Sequence, residues 1–309
     1  MSTRIEHLVV SGGSNAGIVF FGLLKSLAQQ QVYRLEDIRT MYATSVGSLL
    51  VVYLALQYDW QDVQTFILER PWKQLYHIDF HTLKRAVQEG GLFGHSNIVE
   101  TLRPMLLGKD LSLDITMADF YAFSQKELHF FITDYADLKL VDVSYKTHPH
   151  WKLVDAVYAS CCLPILFDPF YFEGRYYVDG AVLKNYPLQE CIHAGHDPDT
   201  ILGVYCETLS DKDEIRTAPP YFSPESSTGY KFFDYALSFI MKLWTILKEY
   251  RGMTTSVHVL HEIPVSCDTH PMRIMETFAS RESRYQLFES GMMQAEEYVQ
   301  RNRKALGLL

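Results

Sequence analysis

The chain has 309 residues, of which 48% are hydrophobic and 21% charged, a composition typical of a globular protein. Its 28 basic and 37 acidic residues give a net charge of −9, which argues against a nucleic-acid-binding protein. Five cysteines without regular spacing predict reduced thiols rather than a disulfide framework.

The first ten residues, MSTRIEHLVV, have a strand-like pattern and lack the basic and apolar regions of a secretory signal. A cytoplasmic location is therefore expected. The apolar run at 49–56 is much shorter than the ~20 residues that cross a bilayer, so no anchor is expected from it.

Two strand–turn–helix units open the chain. Residues 5–10 predict a strand, SGGSNAG at 11–17 a glycine-rich turn, and the apolar run that follows a buried helix. The pattern repeats with a strand at 38–44, a turn at Ser45 and a helix at 47–57. Two such units in series predict a parallel sheet covered by helices.

The rest of the chain continues as alternating helices and strands, without internal repeats. We predict helices at 62–86, 96–107, 152–160, 187–194, 232–250 and 275–304, strands at 127–133, 139–144, 200–206 and 256–263, a hairpin at 170–182 turning at Glu173-Gly174, and loops at 89–94 and 210–230.

Ser45 lies in ATSVG at a predicted strand-to-helix corner, close to the G-x-S-x-G nucleophile elbow of hydrolases. Such a corner exposes the hydroxyl, and the helix N-terminus behind it favours developing negative charge. The small residues Ala43 and Gly47 allow the backbone to turn tightly. An ordinary N-cap serine is the alternative explanation.

Two further segments offer chemistry. The turn at Gly12, Gly13 and Ser14 can present free N–H groups to an oxyanion or a phosphate, although it matches no nucleotide-binding motif and can also be a tight turn without a ligand. Asp179 ends a predicted strand directly before Gly180, and Asp-Gly is also a common turn pair.

In order and over most of residues 5–206, these segments resemble the patatin-like phospholipases, and the stretch VYASCCLPILFDPFYFEGRYYVDGA at 157–181 joins them. The resemblance implies a three-layer α/β/α fold with a mainly parallel central sheet. We expect a single domain over 1–309, with its core at 5–206 and a C-terminal helical extension at 207–309.

The resemblance also implies an activity, which is lipid acyl hydrolysis of the phospholipase A type. It assigns a Ser-Asp dyad and an acyl-enzyme to Ser45 and Asp179, and an oxyanion hole to Gly12, Gly13 and Ser14. Ala43, Gly47 and Gly180 would support the site. The implied partner is a phospholipid or another acyl ester.

Three positions depart from the family pattern. Ser14 replaces the third glycine of the turn, Ala16 replaces the usual Arg or Lys, and Ala43 replaces the first glycine of the elbow. None of these changes removes a reacting group, but the turn must avoid positive φ at Ser14 or bear strain. Without a basic residue at Ala16, phosphate recognition there is weakened, so an acyl ester is expected more firmly than a phospholipid.

An exposed aspartate with a pKa of ~3.9 is a poor base for a serine proton, so burial should raise the pKa of Asp179. Aromatic residues at 170–178 supply neighbours for an apolar cleft. Such a base suits esters better than peptide bonds. The dyad needs no cofactor, and no clear metal motif is present, so neither a cofactor nor a metal is expected.

Three alternatives stay open. A Ser-His-Asp hydrolase would take its base from the histidines that follow Asp179, which are His193, His196, His258 and His261. A metal hydrolase would use YHIDFH at 76–81. A lipid-binding pseudoenzyme would hold acyl chains without cleaving them.

The apolar helix predicted at 232–250 carries one narrow polar stripe. A mostly buried core helix is the ordinary explanation for such a pattern. The sharper hypothesis is that Trp244 and its neighbours touch the acyl chain or a lipid surface. It adds peripheral membrane contact to the expected cytoplasmic location.

Overall fold

The computed structural model describes residues 4–207, 259, 261–269, 271–303 and 306. The strands in these ranges are β1 His7–Val10, β2 Thr40–Thr44, β3 Gly91–Phe93, β4 Glu127–Asp134, β5 Lys139–Ser144, β6 Ile165–Phe167, β7 Phe170–Phe172, β8 Arg175–Asp179, β9 Ile201–Glu207 and β10 His261–Ser266. The helices are α1 Ala16–Gln29, α2 Val46–Ala55, α3 Trp60–Glu69, α4 Trp72–Leu75, α5 Phe80–Glu89, α6 His95–Leu107, α7 Met117–Ser124, α8 Leu153–Cys161, α9 Leu188–His193, α10 Pro271–Ala279 and α11 Arg281–Asn302.

Eight strands form one sheet, in the order β10-β9-β1-β2-β4-β8-β7, with β5 also paired to β4. The run from β10 to β4 is parallel throughout, while β5, β7 and β8 pair in antiparallel fashion. The remaining two strands, β3 and β6, form a separate parallel pair. The sheet is therefore mainly parallel at its centre, as expected.

Helices cover both faces of the sheet. Leu8 and Val10 of β1 belong to the larger core, which also contains the buried side chains of α1, α2 and α8. Val9 points the other way, into a smaller core with Leu188 and Cys191 of α9. This alternation follows from the two-residue period of a strand. The expected three-layer α/β/α fold is confirmed.

Most helices and strands lie where the sequence predicts them, but some neighbouring helices were predicted as one. The predicted helix at 62–86 is three helices, because Pro71 follows α3 and Asp79 begins a capping box at α5. The predicted closing helix at 275–304 is α10 and α11, separated at Ser280, whose hydroxyl caps α11. The elements α7, β3 and β6 were not predicted.

All five cysteines are free thiols, as predicted. Within the described residues, no helix is long and apolar enough to span a bilayer. The predicted loop at 210–230, the predicted helix at 232–250 with Trp244, and residues 256–258 and 260 of a predicted strand lie outside the described residues. The single-domain interpretation stays a prediction.

Helices α1 and α11 cross in close contact through two glycines. A Cβ atom at Gly22 of α1 would lie 2.3 Å from the carbonyl oxygen of Phe288, and one at Gly291 of α11 would lie 2.1 Å from that of Val19. Both distances are far inside van der Waals contact. The two helix backbones therefore touch directly, and neither position has room for a methyl group.

We expect Gly291→Ala to lower the free energy of unfolding by roughly 1–2 kcal/mol, because overpacking costs ~1–3 kcal/mol and alanine recovers at most ~1 kcal/mol of helix propensity. Urea unfolding measures the change. Glu289→Ala, at an exposed position of the same helix, is the control and should leave stability nearly unchanged. Equal stability of the Gly291 and Glu289 variants would contradict the close crossing.

Candidate active site

Ser45 occupies the corner between β2 and α2, as the sequence predicted, and its backbone is strained. Its φ is +55° and its ψ is −129°, a conformation that favours glycine. Such a residue costs ~1–3 kcal/mol and persists only where its surroundings hold it in place. Gly47 is required here, since a Cβ on it would lie 2.8 Å from the carbonyl oxygens of Val10 and Ser11. Ala43 is fully buried in β2.

Asp179 reaches Ser45 because two strands share one edge of β4. The first half of β4 pairs with β2 as far as Phe131 opposite Thr44, and the next residue, Ile132, pairs with Asp179 of β8. Since β5 occupies the other edge over His129–Asp134, β2 and β8 meet end to end. The residue after Thr44 is Ser45, so the two strand ends bring the side chains of Ser45 and Asp179 together.

A hydrogen bond joins the side chains of Ser45 and Asp179. Ser45 Oγ donates to Asp179 Oδ2 at 2.7 Å, and the amide of Ala181 donates to Asp179 Oδ1 at 2.8 Å. Gly180 allows the turn after Asp179, because a Cβ on it would lie 2.1 Å from the carbonyl oxygen of Phe131. Both carboxylate oxygens are thus held in fixed directions.

The Asp179 carboxyl is fully buried, while Ser45 is partly exposed. Burial raises the pKa of Asp179 to about 7, although the hydrogen bonds from Ser45 and Ala181 act to lower it. Its proton affinity therefore suits a general base near neutral pH. The expected direction of the shift agrees with the structure.

The glycine-rich turn lies directly beside Ser45. A Cβ on Gly12 would lie 3.0 Å from Ser45 Cβ. The amide of Gly12 is already used, since it donates to the carbonyl oxygen of Asn185 at 3.0 Å. The amides of Gly13 and Ser14 donate to none of the residues that the structure describes, and both residues are partly exposed. These two amides are the ones that could receive an oxyanion.

Ser14 does not avoid positive φ. Its φ is +51°, so the turn keeps the left-handed conformation that a glycine would adopt easily. Its hydroxyl forms no hydrogen bond to any residue described by the structure. Strain at Ser14 and at Ser45 is therefore concentrated at two adjacent helix N-termini.

A cavity of about 170 Å³ lies next to both strained serines. Its lining is mostly apolar, and it includes side chains that sequence analysis did not connect with the site, among them Leu50, Trp72, Tyr76, Ile98, Phe167 and Phe278. Phe278 of α10 stacks on Tyr76 with ring centroids 4.4 Å apart. A segment near the C-terminus thus forms part of the wall.

The family model described as Patatin-like phospholipase matches residues 8–192. The chain belongs to the patatin-like phospholipase family. The match contains Ser45, Asp179 and the glycine-rich turn, whereas α10 and α11 lie beyond it.

Relatives of this patatin-like chain include proteins named as a lipid hydrolase and a lipase. "Probable lipid hydrolase 463L" of Invertebrate iridescent virus 6 is 26% identical over 187 residues, which cover 60% of this chain and 63% of that protein. "Triacylglycerol lipase SDP1L" of Arabidopsis thaliana is 26% identical over 52% of this chain and 19% of its own length.

The solved structure of VipD from Legionella pneumophila is also similar to this patatin-like chain. It aligns with a TM-score of 0.49 and 16% identity, and the alignment covers 93% of this chain and 67% of VipD.

The histidines that could have served a triad have other partners. His196 stacks on His7 and contacts the Tyr42 hydroxyl, and His261 contacts the Tyr298 hydroxyl. None of the described histidines hydrogen-bonds to Ser45 or Asp179. His193 is exposed on α9, and His258 lies outside the described residues.

The suggested metal ligands at 76–81 do not form a site. Asp79 caps α5 by accepting a hydrogen bond from the Thr82 amide at 2.8 Å, and His77 lies 3.4 Å from its other carboxylate oxygen. Across the described part of the chain, no group of three or more His, Cys, Asp or Glu residues could hold a metal ion.

Proposed function

We propose that this chain hydrolyses fatty-acyl esters of lipids through a Ser45–Asp179 dyad and an acyl-enzyme intermediate. The observation that carries the proposal is the 2.7 Å hydrogen bond from Ser45 Oγ to a buried carboxylate beside an apolar cavity. The family's description and the names of two relatives support lipid esters as the substrate class.

In the acylation step, Asp179 accepts the Ser45 proton while Oγ attacks the acyl carbonyl carbon. The carbonyl oxygen becomes an oxyanion, which the amides of Gly13 and Ser14 stabilise as hydrogen-bond donors. When the ester C–O bond breaks, Asp179 returns the proton to the departing alcohol. The products are a free alcohol and an acyl ester on Ser45.

In the deacylation step, water takes the place of the alcohol. Asp179 accepts a proton from the water as its oxygen attacks the acyl carbon, and the same two amides stabilise the second oxyanion. Collapse of this intermediate breaks the bond to Ser45 Oγ, which takes the proton back from Asp179. A free fatty acid leaves, and the dyad returns to its starting state.

The cavity is the proposed site of the acyl chain. A dry apolar cavity of ~150 Å³ is large enough for benzene, so about 170 Å³ holds a segment of roughly six carbons. The position that would carry a basic residue in the family is Ala16, which is fully buried. The proposal therefore names the acyl ester and leaves the alcohol part of the substrate to experiment.

Hydrolysis of p-nitrophenyl hexanoate, of phosphatidylcholine and of triacylglycerol in mixed micelles tests the proposal. We expect saturable turnover of the soluble ester and release of fatty acid from at least one lipid. Binding of a fluorescent fatty acid without turnover of any ester would instead support a lipid-binding pseudoenzyme.

The pH dependence follows from the state of the base. Asp179 must be ionised to accept the serine proton, and burial raises its pKa to about 7. We therefore expect kcat/KM for the soluble ester to rise tenfold per pH unit up to about pH 7 and then to level off. Initial rates between pH 5 and pH 9 measure the profile.

The control is an aliquot held at pH 5 and assayed at pH 8, which should recover full activity if the fold survived. A profile that is flat, or that falls only near pH 4 as for an ordinary carboxyl group, would contradict Asp179 as the base.

A further inference from the structure

Ser160 of α8 is a buried serine next to the dyad but outside the cavity lining. Its Oγ accepts hydrogen bonds from the Ser45 amide at 3.0 Å and from Ser48 Oγ at 2.8 Å. It donates to the carbonyl oxygen of Phe131 at 2.8 Å. A hydroxyl has one donor and two acceptor sites, so every one of them is used.

The next residue, Cys161, holds the other backbone polar group of Ser45. Its Sγ donates to the carbonyl oxygen of Ser45 at 3.0 Å. Two consecutive side chains of α8 therefore bond the N–H and the C=O of Ser45. Ser45 has φ of +55°, and such a backbone needs surroundings that fix it from several directions.

The carbonyl of Phe131 connects this arrangement to the base. It accepts the Ser160 hydroxyl on one side, and Gly180 lies against it on the other, so closely that a Cβ there would approach to 2.1 Å. The following residue of β4, Ile132, pairs with Asp179. One backbone carbonyl thus bonds to Ser160, which holds the corner that carries Ser45, and lies against the turn that carries Asp179.

We propose that Ser160 is a positioning residue that fixes Ser45 relative to Asp179, an inference that rests on the proposed function of the dyad. It acts through the Ser45 amide on one side and the Phe131 carbonyl on the other, and it does not contact the substrate. Without its hydroxyl, the Ser45 amide and the Phe131 carbonyl each lose this hydrogen bond, and the corner is free to relax away from the strained conformation.

Ser160→Ala tests the proposal. We expect kcat for p-nitrophenyl hexanoate to fall about 10–100-fold while KM changes less than about threefold, because misplacement by ~1 Å is costly for chemistry and the cavity wall is untouched. Ser160→Thr keeps the hydroxyl and should recover most of kcat. If the alanine variant does not fold, Ser160→Cys is measured in its place, and it should show the same fall in kcat because a thiol is a weak donor and acceptor.

The pH profile supplies a readout that general destabilisation would not move. The Ser45 hydrogen bond lowers the pKa of Asp179, so loosening it should shift the acidic limb of kcat/KM to higher pH. The titratable neighbours of Asp179 are Cys161 and Cys162, and burial raises the pKa of both thiols, which keeps them neutral over this range.

Ser144→Ala is the matched control. Ser144 is also fully buried, and its hydroxyl bonds to Thr147 in the loop after β5. This variant should lose stability without any change in kcat or in the acidic limb. If Ser160→Ala and Ser144→Ala have equal kcat at a temperature where both are folded, the proposal is wrong.

Hydrogen exchange separates this proposal from the function on which it rests. Exchange in peptides covering 41–50 should accelerate in Ser160→Ala and stay unchanged in Ser144→Ala, whether or not the protein cleaves esters. Absence of ester turnover in the wild type, with accelerated exchange in Ser160→Ala, would overturn the proposed function and leave the support of the corner standing. Unchanged exchange in Ser160→Ala would overturn the role of Ser160.

Discussion

Ser45→Ala should abolish ester hydrolysis, with a loss in kcat on the order of 10⁴-fold or more, because the variant has no nucleophile to form the acyl-enzyme. A fluorophosphonate probe provides the second measurement. Intact mass should show one adduct on the wild-type protein and none on the variant. The fold should be unchanged, since Asp179 is the one hydrogen-bond partner of the Ser45 hydroxyl among the residues that the structure describes.

Ser26→Ala is the control for this experiment. Ser26 is a buried helix serine whose hydroxyl accepts a hydrogen bond from Gln30 at 3.0 Å. It should keep full activity and a full adduct. Labelling of Ser45→Ala at another residue, together with retained turnover, would show that Ser45 is not the nucleophile.

Asp179→Asn should lower turnover by ~10²–10⁴-fold, the usual effect of removing a positioned general base. The amide has nearly the same shape, and its oxygen can still accept the Ala181 N–H, so the turn should be preserved. The Ser45 hydroxyl loses its proton acceptor. Wild-type kcat in this variant would refute the dyad.

The same substitution should stabilise the fold at neutral pH. Burial raises the pKa of Asp179 from an ordinary value near 3.8 to about 7, so the folded state holds this proton more tightly than the unfolded state. Stability therefore falls as pH rises from about 4 to about 7, by up to roughly 4 kcal/mol. Asparagine carries no charge and therefore does not lose stability in this way. The gain in stability from Asp179→Asn should be largest at pH 8 and vanish near pH 4.

Asp134→Asn is a control for which we expect the opposite change in stability. Burial alone would raise the pKa of Asp134, but hydrogen bonds from Arg175 and from two backbone amides bring it below its ordinary value. Its carboxylate therefore stabilises the fold at pH 8. Replacing Asp134 by asparagine should destabilise the fold at that pH. Urea unfolding of both variants at pH 8 and pH 5 measures the two effects. If Asp179→Asn instead destabilised the fold at pH 8, the buried charge of Asp179 would have to be stabilised by its surroundings, and the prediction would be wrong.

The sequence was most informative where the signal is local. The strand, glycine-rich turn and helix at 5–29, and the corner at Ser45, follow from residue types at adjacent positions. Helix α7 was missed, although Thr116 and Asp119 form an N-terminal capping pair that could have located it. The three-residue strands β3 and β6 are too short to show a period.

Contacts between distant segments could not be predicted from one sequence. Nothing near Gly12 indicates that its amide donates to Asn185, whereas the amides of Gly13 and Ser14 donate to none of the described residues. Likewise, nothing in the sequence distinguishes Phe278 from other apolar residues of an amphipathic helix. Only the structure shows that it stacks on Tyr76 at the cavity wall. The pairing of Ser45 with Asp179 was expected from the family resemblance alone, because neither residue's neighbours specify the other.

Because α1 and α11 touch at Gly22 and Gly291, a change at this crossing would tilt α1. Gly22 is six residues from Ala16, the first residue of the helix, or about 9 Å at a rise of ~1.5 Å per residue. A displacement of ~1 Å at the crossing would tilt α1 by roughly 6°, and α1 starts two residues after Ser14, whose amide we propose as an oxyanion donor. The placement of the Gly13 and Ser14 amides, the proposed oxyanion donors, would therefore depend on how closely α11 packs against α1.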